Sequence, residues 1–216
     1  MQVSKVSTFF DRYAHDFDAI YGNNNGLLSA VVNKFLRRSM ALRYRMTLEG
    51  CDPIVDHTVL DVGCGPGHYS IALAKLGASK VRGIDFADGM LEVARDSAVK
   101  EGVEKVCQFE KIDFLNWNFD DKFDYVIVMG FMDYIADPLN IIKKTLSLTR
   151  DRAFFSFPIR DGILSWQRKI RYQSRCELYL YSEKQVLDLF AGTQCKKVHA
   201  ERISRDLFVT VDMKRD

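Results

Sequence analysis

The chain has no apolar run long enough to span a bilayer, and its first residues lack the basic-then-apolar pattern of a leader. The sequence therefore predicts a cytoplasmic protein with no membrane span. Net charge is also scarce: 31 Lys and Arg against 29 Asp and Glu leave +2, too little by itself to imply nucleic acid. Five cysteines, Cys51, Cys64, Cys107, Cys176 and Cys195, are odd in number and form no CxxC pair, so they read as reduced thiols. No spacing of His, Cys and acidic residues supports a metal site, and none is expected. At 216 residues the chain can bury one sizeable core without disulfides or a structural metal.

One further absence separates two kinds of nucleotide site. The stretch VLDVGCGPG, Val59 to Gly67, is a short apolar strand interrupted by Asp61 and followed by alternating glycines. A dinucleotide fingerprint needs GxGxxG, but counting from Gly63 or Gly65 puts His68 or Ser70 where the third glycine belongs. Gly63, Gly65 and Gly67 nevertheless remove Cβ atoms where a backbone must turn sharply and approach a ligand. Helical spacing from Gly67 to Leu76 places the loop at a helix N-terminus, which favours a negative group. Asp85, eighteen residues after Gly67, ends the next strand, where a carboxylate can accept hydrogen bonds from both hydroxyls of a ribose.

The remaining pattern alternates helix and strand. A helix over Gly89 to Lys100 leads to a third strand ending in Ile112, Asp113 and Phe114. FDYVIVMG, Phe123 to Gly130, is nearly continuous in apolar residues, as expected at the centre of a sheet covered on both faces. Asp137 and Pro138 supply an N-cap acid and a first-turn proline, and a fifth strand, RAFFSFP, ends at Pro158. A capped helix over Ser182 to Phe190 precedes two strands joined at Ser204 to Asp206.

An acid two residues before three alternating glycines resembles motif I of the class I S-adenosylmethionine-dependent methyltransferases. The acid after strand two, the acid after strand three and the final hairpin extend that resemblance over Thr58 to Met213. It implies an α/β, Rossmann-like, doubly wound seven-stranded sheet, mostly parallel with an antiparallel final strand, and S-adenosylmethionine as cofactor. On this resemblance Asp61 serves the methionine end, Gly63, Gly65 and Gly67 pass beside the cofactor, and Asp85 binds the ribose. Asp113 and Phe114 frame the adenine, and Phe86, Met90 and Met129 complete the cofactor set. The N-terminal STFFDRYAHDFDAIY is similar to a segment that folds over the cofactor in many small-molecule members, which assigns residues 1–50 to a helical cover and 51–216 to the methyltransferase domain. Tyr13 and Tyr21 are then expected at the cofactor. The whole chain is distantly similar to magnesium-protoporphyrin O-methyltransferases.

The acceptor is less legible. GFMDYIAD, Gly130 to Asp137, leaves the fourth strand where open α/β sheets bind ligands, so Asp133 and Tyr134, with His15, are the candidate proton-handling groups. Residues 159–180 form an expected lid insertion in which Arg168 and Arg171 offer planar forks to a carboxylate or phosphate on the acceptor. Arg37, Arg38, Arg43 and Arg45 raise the competing reading of nucleic acid. The (N/D)PP(Y/F) motif of base-modifying amino methyltransferases is absent, however: its place reads MGFMDY. The expected activity is methyl transfer to the oxygen or nitrogen of a small molecule, by a monomer or homodimer. The alternatives are a catalytically inactive cofactor-binding partner protein and an RNA methyltransferase.

Overall fold

The computed structural model describes residues 27–119, 121–160 and 178–214, with side chains from Ser39 onward. Its elements run α1 (Leu27–Gly50), β1 (Thr58–Val62), α2 (His68–Lys75), β2 (Lys80–Asp85), α3 (Asp88–Lys100), β3 (Cys107–Lys111) and β4 (Phe123–Val128). A 3-10 turn (Met132–Tyr134), α4 (Pro138–Ser147), β5 (Thr149–Pro158), α5 (Glu183–Phe190), β6 (Cys195–Ile203) and β7 (Asp206–Met213) follow.

The seven strands form one sheet in the order β3-β2-β1-β4-β5-β7-β6. β1 to β5 pair in parallel, and β7 runs antiparallel to both β5 and β6. The expected sheet is therefore present, closed by the expected hairpin. Because side chains alternate along a strand, neighbouring residues feed opposite faces. Leu60, Val62, Val126, Val128, Phe155 and Phe157 join one core, which α4 and α5 cover with Ile141, Ile142, Val186 and Phe190. Val59, Tyr125, Ile127 and Phe154 join the other, covered by Ile71 and Leu73 of α2 and by Leu91 and Ala94 of α3. Leu42 and Met46 of α1 pack on that second core, so the C-terminal half of α1 belongs to the domain's body.

β1 lies between β2 and β4, so consecutive crossovers leave it toward opposite edges of the sheet. That reversal opens a crevice at the carboxyl ends of β1 and β4. Two element boundaries differ from expectation for local reasons. The third strand stops at Lys111: the Ile112 N–H still reaches the Asp85 carbonyl at 3.2 Å, but the Asp113 carboxylate then accepts the Leu115 N–H at 3.1 Å and turns the chain. The fourth stops at Val128, because Gly130 takes φ +69° and gives its N–H to the Ser156 hydroxyl at 2.8 Å. The helix starts were legible: Asp137 caps α4 through the Leu139 N–H, and Ser182 forms a capping box with Gln185 on α5.

Candidate active site

The glycine loop is stitched to β2 before any ligand is considered. The N–H groups of Gly63 and Cys64 both donate to the Ile84 carbonyl, at 2.8 and 3.0 Å. Gly63, Gly65 and Gly67 all have positive φ, at +70°, +52° and +81°, a region that L side chains enter only with strain. Their surroundings differ. A Cβ on Gly63 would lie 2.6 Å from Phe131, and one on Gly67 would lie 2.9 Å from Phe109 and 3.1 Å from Ala94. One on Gly65 meets nothing within 4 Å. Among the described residues, the middle glycine thus meets nothing, while its neighbours are fixed by protein.

Asp85 stands at the tip of β2 and joins that loop to the next helix. One carboxylate oxygen accepts the Gly65 N–H at 2.9 Å and the other accepts the Ala87 N–H at 2.9 Å. Two carboxylate oxygens offer about four acceptor positions in all, and these backbone bonds orient the group at the tip of β2.

Asp61 is 1% exposed and accepts the Ser70 hydroxyl at 2.7 Å. Burial raises its pKa to about 7; the Ser70 hydrogen bonds act against that rise, and the nearby Asp85 charge adds to it. The consequence for folding has a definite sign. Below about pH 4 the group is protonated whether the chain is folded or not; between about 4 and 7 the unfolded chain ionises first, and stability falls; above 7 that loss is complete. Asp61→Asn is accordingly expected to gain stability over the parent progressively from pH 4 to pH 7 and to hold a constant gain above it. Urea unfolding at several pH values checks this, and a difference independent of pH contradicts it. Cys64 is buried, with its thiol pushed well above the ordinary range by that burial, so it is protonated filler inside the loop.

On the other side of the crevice, Arg43 of α1 is only 12% exposed; it donates to Ser156 at 3.2 Å and lies 3.8 Å from the Asp206 carboxylate. A hydrogen bond also joins it to Tyr69, beside the glycine loop. Arg43, counted in the sequence among cations for nucleic acid, is therefore a buried tie between α2, the end of β5 and the final hairpin. Arg45 is exposed and pairs with Glu49 within its own helix.

Other expected site residues are placed as follows. Met90 and Phe114 are each 1% exposed: Met90 packs with Ala87 and Val93, and the Phe114 ring lies in the core against Phe119. Met129 is likewise buried, whereas Phe86 is half-buried beside Asp85. Asp113 is half-buried and uses its carboxylate to hold Leu115 N–H and the Asn116 amide, the latter at 2.7 Å. Asp133 is 3% exposed on the 3-10 turn, and its carbonyl accepts the Tyr179 N–H at 2.9 Å; Tyr134 is half-buried. Ile159, expected at the start of the insertion, instead belongs to the core and bridges to Tyr181. Tyr13, His15, Tyr21, Arg168 and Arg171 lie outside the described residues.

Ser70, Gly83 and Ser156 were missed. Gly83 had a readable signal, a glycine inside a strand, which marks close approach: a Cβ there would fall 2.6 Å from Phe109. A lone serine in the apolar FFSFP run was the signal for Ser156. Among the described residues, no group of three or more His, Cys, Asp or Glu could hold a metal ion, and no helix is long and apolar enough to cross a membrane.

The sheet order, the glycine loop and the acid at the tip of β2 together have the layout of a class I S-adenosylmethionine-dependent methyltransferase domain. Residues 55–160 match the family described as Methyltransferase domain. Among curated proteins, the ubiquinone biosynthesis O-methyltransferase of Serratia proteamaculans is 32% identical over 125 residues, 57% of this chain and 52% of that protein. The chain thus spans about half the length of such relatives. Among solved structures, magnesium protoporphyrin IX methyltransferase from Synechocystis PCC 6803 with bound SAH superposes with a TM-score of 0.74 at 20% identity, covering 99% of this chain and 100% of the other. The [4+2]-cyclase SpnF superposes with a TM-score of 0.68 at 14% identity, covering 98% of this chain and 96% of the other. At such identities the likeness speaks for the fold, and the fold alone does not choose the reaction.

Proposed function

We propose that the protein transfers a methyl group from S-adenosylmethionine to an oxygen of a small molecule. The observation that carries the reading is Asp85: a carboxylate oriented by Gly65 and Ala87 N–H groups at the tip of β2, beside a glycine whose missing Cβ would meet none of the described residues within 4 Å. Those features fit the two hydroxyls of a ribose and a cofactor chain passing close to the backbone. Asp61, held by Ser70, faces the methionine end, and Asp113 faces the adenine amino group. The choice of oxygen rests on the similar proteins, which include an O-methyltransferase of ubiquinone biosynthesis.

When bound, the cofactor supplies an activated methyl on a sulfonium. The chain's own task is alignment, and holding two reactants in attack geometry is worth roughly 7 to 11 kcal/mol of a barrier. Gly130, pinned through Ser156, fixes the backbone at the end of β4 where the acceptor would lie. A hydroxyl acceptor gains a further two to four powers of ten or so from a general base. Asp133, Tyr134 and His15 are the candidates for it. Ile159 and Tyr181 pair side by side, and Tyr179 bonds to Asp133, so the chain departs toward residues 161–177 and returns next to the 3-10 turn. Arg168 and Arg171 in that stretch are proposed to hold an anionic group on the acceptor.

The test is release of S-adenosylhomocysteine from S-adenosylmethionine over a panel of catechols, phenols and carboxylic acids. The expected result is at least one acceptor that raises release tenfold above the rate without acceptor. Methylation confined to RNA added as a control would overturn the small-molecule reading.

A further inference from the structure

We propose that Lys144 is a positioning residue for the adenine end of the site, acting through the turn that carries Asp113. The inference rests on the cofactor reading given above. Lys144 lies in the last turn of α4, on a different element from every residue assigned to the cofactor. Its ammonium donates to the Leu115 carbonyl at 3.1 Å and also to the Trp117 carbonyl. It stands 5.4 Å from the centroid of the Phe114 ring and 5.6 Å from that of Phe119, distances at which a cation is attracted to an aromatic face. Two carbonyls and two rings thus converge on one charge, and all four come from the connection between β3 and β4.

Among the described residues, the connection is also anchored by the buried Phe114 ring and by the Asn116 and Trp117 N–H groups, which donate to the Asp113 carbonyl at 3.2 and 3.0 Å. Leu115 and Trp117 are exposed, as are Asn116 and Asn118 between and beyond them. Phe119 receives a second cation: the Arg82 guanidinium lies 5.4 Å from its centroid and is itself fixed by a paired hydrogen bond to Glu110, at 3.0 and 2.9 Å. Phe114 and Phe119 also touch one another, with centroids 5.9 Å apart. Asp113 begins the turn that these groups clasp, and its carboxylate already bonds to Leu115 and Asn116 within it. The orientation of that carboxylate is therefore set by the turn, and the turn is set by Lys144. An acceptor oxygen serves the adenine amino group only if it is held in one place, because a loosely held partner loses much of its discrimination.

The test compares two ligands that differ along that edge of the base, S-adenosylhomocysteine and S-inosylhomocysteine, in which a carbonyl replaces the amino group and N1 gains a proton, by calorimetry on the full chain. Lys144→Met keeps length and apolar contact with the rings but removes the carbonyl bonds and the charge. The parent is expected to prefer the adenine ligand by about tenfold or more. Lys144→Met should lose about three- to tenfold in affinity for it while the inosine ligand changes by less than about twofold, and Lys144→Arg should restore the preference. Phe119→Leu, which removes the ring between the two cations, should shift the preference in the same direction and provides the test if Lys144→Met does not fold. A purely structural role would lower the melting temperature and weaken both ligands together. Equal loss for both ligands, no loss for either, or a parent that does not discriminate overturns the proposal while leaving the cofactor reading intact. A parent that binds neither ligand overturns both.

Discussion

Replacing Asp85 with alanine is expected to weaken S-adenosylhomocysteine binding by about two to four powers of ten. Each hydrogen bond to a charged group is worth about 1.5 to 3 kcal/mol, and a ribose offers two hydroxyls, so the loss is about 3 to 6 kcal/mol, at about 1.4 kcal/mol for each tenfold. The structure adds a second contribution. The same carboxylate holds the Gly65 and Ala87 N–H groups, so its removal also releases the loop that lines the cofactor and the turn into α3. Asparagine at this position keeps one acceptor oxygen and should fall between alanine and the parent. Calorimetric titration checks the series, and an alanine variant within twofold of the parent contradicts the ribose role.

The second large effect separates fold from ligand within a single loop. Alanine at Gly67 must adopt φ +81° and fit its Cβ between the Phe109 ring and Ala94, at 2.9 to 3.1 Å. A left-handed conformation costs an L residue about 1 to 2 kcal/mol, and overpacking a core costs about 1 to 3 more. A domain of this size loses roughly 2 to 4 °C for each kcal/mol, so a fall in melting temperature on the order of 10 °C is expected. Alanine at Gly65 bears only the backbone strain from the described residues, since none of them lies within 4 Å of the added atom. It should melt only a few degrees below the parent and yet lose cofactor affinity by more than about tenfold, because the new methyl projects where the ligand passes. Thermal melts and titrations on both variants check the contrast. Equal losses of stability with equal retention of binding would mean that the open space beside Gly65 is not the cofactor's path.

Local pattern explains what could be read in advance. The strand, glycine loop and second strand from Val59 to Asp85 are contiguous, and their chemistry is written in residue spacing. The Asp137 cap, the Ser182 cap and the final hairpin are likewise local signals. What the sequence hid depends on contacts between distant parts of the chain. Arg43 and Ser156 are 113 positions apart, so nothing nearby shows that an arginine in an amphipathic helix is the partner of a strand serine and, through it, of Gly130. That the Phe114 ring is buried and that Lys144, thirty positions on and in another helix, lies over it is likewise invisible locally. Asp61 was legible as an acid in a buried strand, but its proton affinity depends on Ser70 and on desolvation that only the packed domain provides.

The crevice at the carboxyl ends of β1 and β4 is built for S-adenosylmethionine and not for a dinucleotide. Calorimetric titration of the full chain with S-adenosylhomocysteine, set beside the same titration with NAD, tests it most directly. Saturable one-to-one binding of S-adenosylhomocysteine is expected, with no heat of binding from NAD. Binding of NAD, or a folded protein that takes up neither, would contradict it.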